Sequence, residues 1–202
     1  MSVDTQPQST APTANPQSSI APYKLAHVVF RTSRYSELVE WYKTVLGAST
    51  AFGNEFLTFL SYDDEHHRVA VIKVDMLGVQ PAGVAGLHHV AFTYRSLEDL
   101  LRTYVRLRDL QIRPVFVINH GPTTSLYYED PDRNQIELQV DNYDTIEEAT
   151  EFFYTDAFAI NPIGVEFDPE VLLERFNAGE SEADLKKRPV SGPKGVSDIK
   201  LR

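Results

Sequence analysis

The strongest constraint on this chain is a short pattern that occurs twice. Leu-x-His-Val-x-Phe runs from Leu25 to Phe30 and returns from Leu87 to Phe92. Each copy is followed by a polar opening and then by apolar residues at three-and-four spacing. These are Leu38, Trp41, Tyr42, Val45 and Leu46 before Gly47, and Leu97, Leu100, Leu101, Tyr104 and Leu107 in the second copy. That spacing predicts two amphipathic helices. Ser33 or Ser36 is the expected cap of the first, and Ser96 of the second. Apolar segments of strand type follow each helix: 56–62 and 68–74 around Asp63-Asp64-Glu65, then 115–118, 125–128 and 135–140. Each half therefore reads βαβββ, and neither alone offers a large core. The expectation is an α+β fold of two tandem βαβββ modules, 23–82 and 83–142, wrapped around a shared central cleft.

The flanks differ in kind. Residues 1–22 are rich in Gln, Ser, Thr, Pro and Ala, with one Asp and no Lys or Arg. They read as a disordered tail, because little apolar surface is available to offset ordering entropy. They also lack the charged start of a signal peptide and the arginines of a presequence, so a cytoplasmic location is expected. Residues 143–185 read as a C-terminal extension packing on the paired modules, with a helix over 169–177. The basic, Gly- and Pro-containing stretch 186–202 reads as a mobile tail. The net charge of -10 disfavours phosphate backbones and anionic lipid, so no nucleic acid and no membrane partner is expected. The chain has no cysteine, which excludes a disulfide framework and a thiolate metal site. Exposed module edges suggest a homo-oligomer.

Among six histidines, His27 and His89 occupy equivalent positions in the two repeats. Glu137 stands between Ile136 and Leu138 in the last strand of module two. A carboxylate in so apolar a strand is costly to bury unless something neutralises it. Two neutral imidazoles and one carboxylate, with other positions open, form the facial triad suited to non-haem Fe(II), with Mn(II) as a substitute. His27, His89 and Glu137 are thus the candidate metal ligands. Strand alternation is expected to turn His66 and His88 away from the site.

Over roughly Lys24 to Val140 the chain resembles the vicinal oxygen chelate superfamily, and within it the short one-domain type I extradiol catechol dioxygenases. The ring-cleavage signature of that family is matched by His120, Tyr127, Asp130-Pro131 and Glu137. The one departure is Arg133, where the family has Gly; Asn134 is expected to take the positive-φ turn position instead. The resemblance implies three catalytic roles: His67 beside oxygen, His120 as acid and base, and Tyr127 on the substrate oxygen. Spacing to Pro131 and Glu137 favours Tyr127 over Tyr128. The repeat alignment puts Val71 where Glu137 stands, so module one supplies no carboxylate and room remains for a bidentate diol and O2. The implied partners are a small aromatic diol and O2, with Phe56, Phe59, Phe116 and Phe158 as aromatic lining. The alternatives are another metal-dependent enzyme of the superfamily (lyase, isomerase or cyclase) and a protein that binds an aromatic ligand without turnover.

Overall fold

The computed structural model describes residues 20–78, 81 and 83–199. Residues 1–19, most of the expected N-terminal tail, lie outside them. The first repeat forms β1 (Val28–Thr32), α1 (Tyr35–Leu46), β2 (Ser49–Gly53), β3 (Leu57–Ser61) and β4 (Val69–Lys73). The second forms β5 (His89–Tyr94), α2 (Leu97–Asp109), β6 (Phe116–Asn119), β7 (Thr123–Glu129) and β8 (Gln135–Asp141). The strand orders are β1-β4-β3-β2 in one sheet and β5-β8-β7-β6-β9 in the other, where β9 (Val165–Glu166) comes from the C-terminal extension. In each sheet the repeat's first strand runs parallel to its last.

The helices form for the reasons their sequences give, with one change at a cap. Ser96 Oγ accepts from the backbone N–H of Asp99 and starts α2, as expected. The N-cap of α1 is Arg34 rather than either serine, and no side chain caps it. Its own backbone N–H donates instead to Thr32 Oγ1 at 2.8 Å. Gly47 ends α1 in the left-handed conformation. Leu38, Tyr42 and Val45 from α1 join Leu97, Leu100, Leu101 and Leu107 from α2 and the inner faces of both sheets in one core.

The C-terminal segment adds α3 (Ile146–Phe152), α4 (Asp156–Ile160), α5 (Pro169–Asn177) and α6 (Glu182–Lys186). The capping box Thr145–Glu148 starts α3. Leu172 and Leu185 bury into the main core. The stretch expected to be a mobile tail is tied down over much of its described length. Arg188 donates to two carbonyls, Ser191 Oγ accepts from Asn161, and Lys194 N–H donates to the Ile160 carbonyl. Residues 200–202 lie outside the described residues.

The β7–β8 turn joins the two modules. Asp130 is 4% exposed and accepts from Asp132 N–H, from Asn134 N–H and Nδ2, and from the Tyr42 hydroxyl of α1. The Arg34 guanidinium reaches the Pro131 carbonyl from the same side. Within this turn Arg133 itself has φ 69. The expectation that Asn134 would take that position is not met: Asn134 is held by both carboxylate oxygens of Asp130, which leaves the left-handed residue to be Arg133. A side chain there costs about 1–2 kcal/mol relative to a relaxed backbone, and its 3.6 Å ion pair with Glu129 is half in solvent and returns little. Arg133→Gly should therefore raise unfolding free energy by about 0.5–1 kcal/mol after glycine's own entropy is counted, seen as a higher urea midpoint at unchanged m-value.

Candidate active site

Sheet register decides which side chains share a face. In the second sheet Ala91 lies opposite Glu137, Glu137 opposite Tyr127, and Tyr127 opposite Phe116. The matching row in the first sheet is Val29, Ala70, Phe59 and Phe52. Ala70, not Val71, is therefore the counterpart of Glu137. The repeat alignment slipped by one residue, and in a strand one residue is a change of face. Module one still offers no carboxylate at this place, since alanine binds metal no better than valine.

Around Glu137 the second sheet assembles a compact polar cluster. Glu137 is 4% exposed, with His89 Nε2 at 3.0 Å from Oε2 and His120 Nε2 at 3.9 Å from Oε1. Burial works to raise its pKa and is outweighed by hydrogen bonds from His89 and Ser125 and by the nearby His120, so the carboxyl sits below its ordinary value. His120 is engaged at both ring nitrogens: Nδ1 lies 2.6 Å from the Ile163 carbonyl and Nε2 3.0 Å from the Tyr127 hydroxyl. A carbonyl only accepts, so a proton belongs on Nδ1; in the neutral ring Nε2 is then an acceptor facing the Tyr127 hydroxyl, which also hydrogen-bonds Glu137. Burial lowers the His120 pKa, against the opposing pull of the Ile163 carbonyl and Glu137. Burial, followed by the charge of Glu137, pushes the Tyr127 phenol well up. Tyr128 points the other way, into the core at 1% exposure.

His27 and His67 form a second group. The His67 ring is stacked between Phe59 and His27, with centroids at 4.3 Å on each side. It is buried, and its Nδ1 has no hydrogen-bond partner. His66 and His88 are exposed, yet neither turns away from the candidate residues. His66 packs edge-on to His67 at 4.4 Å, and His88 Nδ1 lies 2.7 Å from His89 Nδ1. Both sit just outside regular strand, where alternation no longer governs direction. Phe116 and Phe59 lie in the site rows, whereas Phe158 packs on Phe152 and Phe153 in the extension, and Phe56 is half exposed.

The donors suit a divalent metal in kind. A nearly buried carboxylate ringed by imidazoles and hydroxyls, with no Lys or Arg paired to it among the described residues, is the arrangement a cation completes. His89 and Glu137 are already in contact. Among the described residues, no three His, Asp or Glu side chains come together as a group that could hold a metal, and His27 is turned onto His67. A recess of about 700 Å³ lies elsewhere, bordered by Leu46, Tyr62, Phe92, Tyr94 and Arg106. It contains none of these donors, so its size does not make it the site.

Two sheets that repeat one four-strand order, the second extended by β9, and that share one core define a paired βαβββ scaffold. The chain belongs to the Glyoxalase/Bleomycin resistance protein/Dioxygenase superfamily, whose family model matches residues 24–138. It is 45% identical over 157 residues to biphenyl-2,3-diol 1,2-dioxygenase 2 of Rhodococcus globerulus, covering 77% of this chain and 83% of that one. It is 43% identical over 168 residues to biphenyl-2,3-diol 1,2-dioxygenase 3 of the same organism, covering 82% and 88%. A glyoxylase/bleomycin resistance protein/dioxygenase domain from Frankia sp. EAN1pec shares the fold at TM-score 0.51 and 16% identity, over 60% of this chain and 99% of that one. Among the described residues, no helix is long and apolar enough to cross a membrane.

His67 and His120 both have pKa values lowered from the ordinary histidine value, burial being the first cause in each. The folded state thus favours their neutral forms, while the unfolded chain takes up protons near about pH 6.5. Their contribution to stability is complete above that pH and is lost as pH falls towards the lower folded values. Urea midpoints measured across this range should fall on acidification. His67→Phe, which keeps a ring between Phe59 and His27, should remove part of that fall.

Proposed function

We propose that this protein is an extradiol dioxygenase that opens a catechol-type aromatic diol with O2 at a single Fe(II), with Mn(II) as a competent substitute. The observation that carries the reading is the cluster of Glu137, His89, His120 and Tyr127 on one face of the second sheet. The two relatives named biphenyl-2,3-diol 1,2-dioxygenase support it and suggest that the diol is an aryl catechol. His89, Glu137 and His27 would hold the metal. When bound, Fe(II) supplies the electron transfer between an electron-rich ring and O2 that side chains cannot perform.

The remaining roles follow from hydrogen-bonding capacity. His120 presents an unprotonated Nε2 towards the cluster, the form required to take a proton from a diol hydroxyl and later return it. Tyr127 keeps its proton at any physiological pH, because burial and Glu137 hold its pKa up. It therefore acts as a donor to a substrate oxygen and not as a base. His67 holds a buried ring nitrogen without a partner, which a small polar reactant would satisfy if the His27 ring moved off it onto the metal. The Phe116 and Tyr127 rings, 5.6 Å apart, give a planar ring an apolar surface beside the donors.

Anaerobic loading with Fe(II), followed by oxygen-electrode and visible-absorbance assays with catechol and 2,3-dihydroxybiphenyl, tests this directly. The expected outcome is O2 uptake with a yellow ring-opened product. His89→Ala should lose both metal and activity. His120→Ala should keep metal and lose about 10²–10⁴-fold in rate, the usual span for one acid–base group. Stoichiometric metal without O2 uptake across a diol panel would overturn the reading in favour of a lyase, isomerase or cyclase. Ligand binding indifferent to metal removal would instead identify a binding protein.

A further inference from the structure

We infer that the turn Asn161-Pro162-Ile163-Gly164 in the C-terminal segment is a positioning device for His120, and that Asn161 is the residue that holds it. The turn meets the site through the Ile163 carbonyl, 2.6 Å from His120 Nδ1. A histidine ring left to itself prefers its proton on Nε2, which would here face the polar cluster. An acceptor fixed at Nδ1 reverses that preference and leaves the Nε2 lone pair towards Tyr127. The catalytic part of this inference rests on the dioxygenase reading; the tautomer does not.

Several features keep the Ile163 carbonyl where it is. Asn161 is 1% exposed and uses its whole amide group. Oδ1 accepts from the N–H groups of Ile163 and Gly164 at 3.0 and 2.9 Å, and Nδ2 donates to the Gly164 carbonyl and to Ser191 Oγ at 2.9 and 2.8 Å. Arg188 clamps the two loops together, donating to the Asn161 carbonyl at 2.6 Å and to the His120 carbonyl at 3.3 Å. Gly164 has φ +123, and a Cβ there would meet the Asn119 carbonyl oxygen at 2.6 Å. The turn therefore lies directly against the strand that leads into His120, and β9 continues from it to pair with β6. On the far side of His120, a Cβ at Gly121 would strike the Phe152 ring of α3. The His120 loop is held between parts of the chain beyond the two repeats.

Such an arrangement separates orientation from binding. Asn161 touches neither His89 nor Glu137, so its loss should leave metal and diol affinity in place while the fraction of His120 in the working tautomer falls.

The test is two-bond ¹H–¹⁵N NMR on the full-length, ¹⁵N-histidine-labelled chain, with Zn(II) added as a diamagnetic probe and again without added metal. The pH is held well above the ordinary histidine value of about 6.5, and His120 is assigned by His120→Ala. Wild type is expected to show His120 with Nδ1 protonated, and Asn161→Ala to move it towards the Nε2-protonated form. Arg188→Ala, which removes the clamp from a partly exposed site, should give a smaller move in the same direction should Asn161→Ala not fold. In steady-state assays with Fe(II), kcat for Asn161→Ala should drop about 10-fold or more with KM for the diol within about 2-fold. An Nε2-protonated His120 in wild type, or an unmoved tautomer in a folded variant, overturns the inference. A tautomer that moves as expected in a protein that turns over no diol sustains the positioning role and removes the dioxygenase reading.

Discussion

The structure depends on how Asp130 is satisfied. A carboxylate buried to 4% exposure is tolerable only with its acceptor capacity filled. Three donors come from its own turn and the fourth is the Tyr42 hydroxyl on α1. The turn joins β7 to β8, the strands that carry Tyr127 and Glu137. A helix of the first module thereby braces the hairpin that carries Tyr127 and Glu137. Burial raises the Asp130 pKa against those hydrogen bonds, so the knot carries a cost that its geometry has to offset.

Much of this was legible in the sequence, for physical reasons that differ from element to element. The repeat announced two βαβββ units because strand and helix periods recur in the same order, and α5 was readable because Pro169 follows the capping Asp168. β2 leaves no mark in the sequence, since Ser49 to Gly53 is exposed throughout and has no apolar alternation to betray it. α3 could have been found, because Thr145-x-x-Glu148 is a capping box in plain view. β9 could not: two residues paired to β6 leave no pattern. At the site, Glu137, His89, His120 and Tyr127 lie together; His120 and Tyr127 were legible only through the family signature, and His27 stacks on His67, a placement that alternation does not foretell. Nothing in the sequence marked the Ile163 carbonyl, since a main-chain acceptor has no residue type.

The two sheets share a blueprint and divide the labour. The row Ala91–Glu137–Tyr127–Phe116 is acidic and hydroxylic where the row Val29–Ala70–Phe59–Phe52 is apolar. Module one contributes the stacked rings of Phe59, His67 and His27; module two contributes Glu137 with His89, His120 and Tyr127 around it. Duplicated frames allow this, because the backbone ladder is indifferent to what the outward face carries so long as the inward face still fills the core.

The edges of the sheets are also unequal. β6 is covered by β9, a strand the chain folds back upon itself, whereas β2 ends its sheet and is exposed along its length. Open ladder groups on a terminal strand are a template for pairing with another chain. The second module has spent part of its C-terminal segment on closing its own border, and the first has not. The β6 border, next to the loop that carries His120, is thereby the one the chain closes for itself, and the corresponding β2 border of the first sheet is left open.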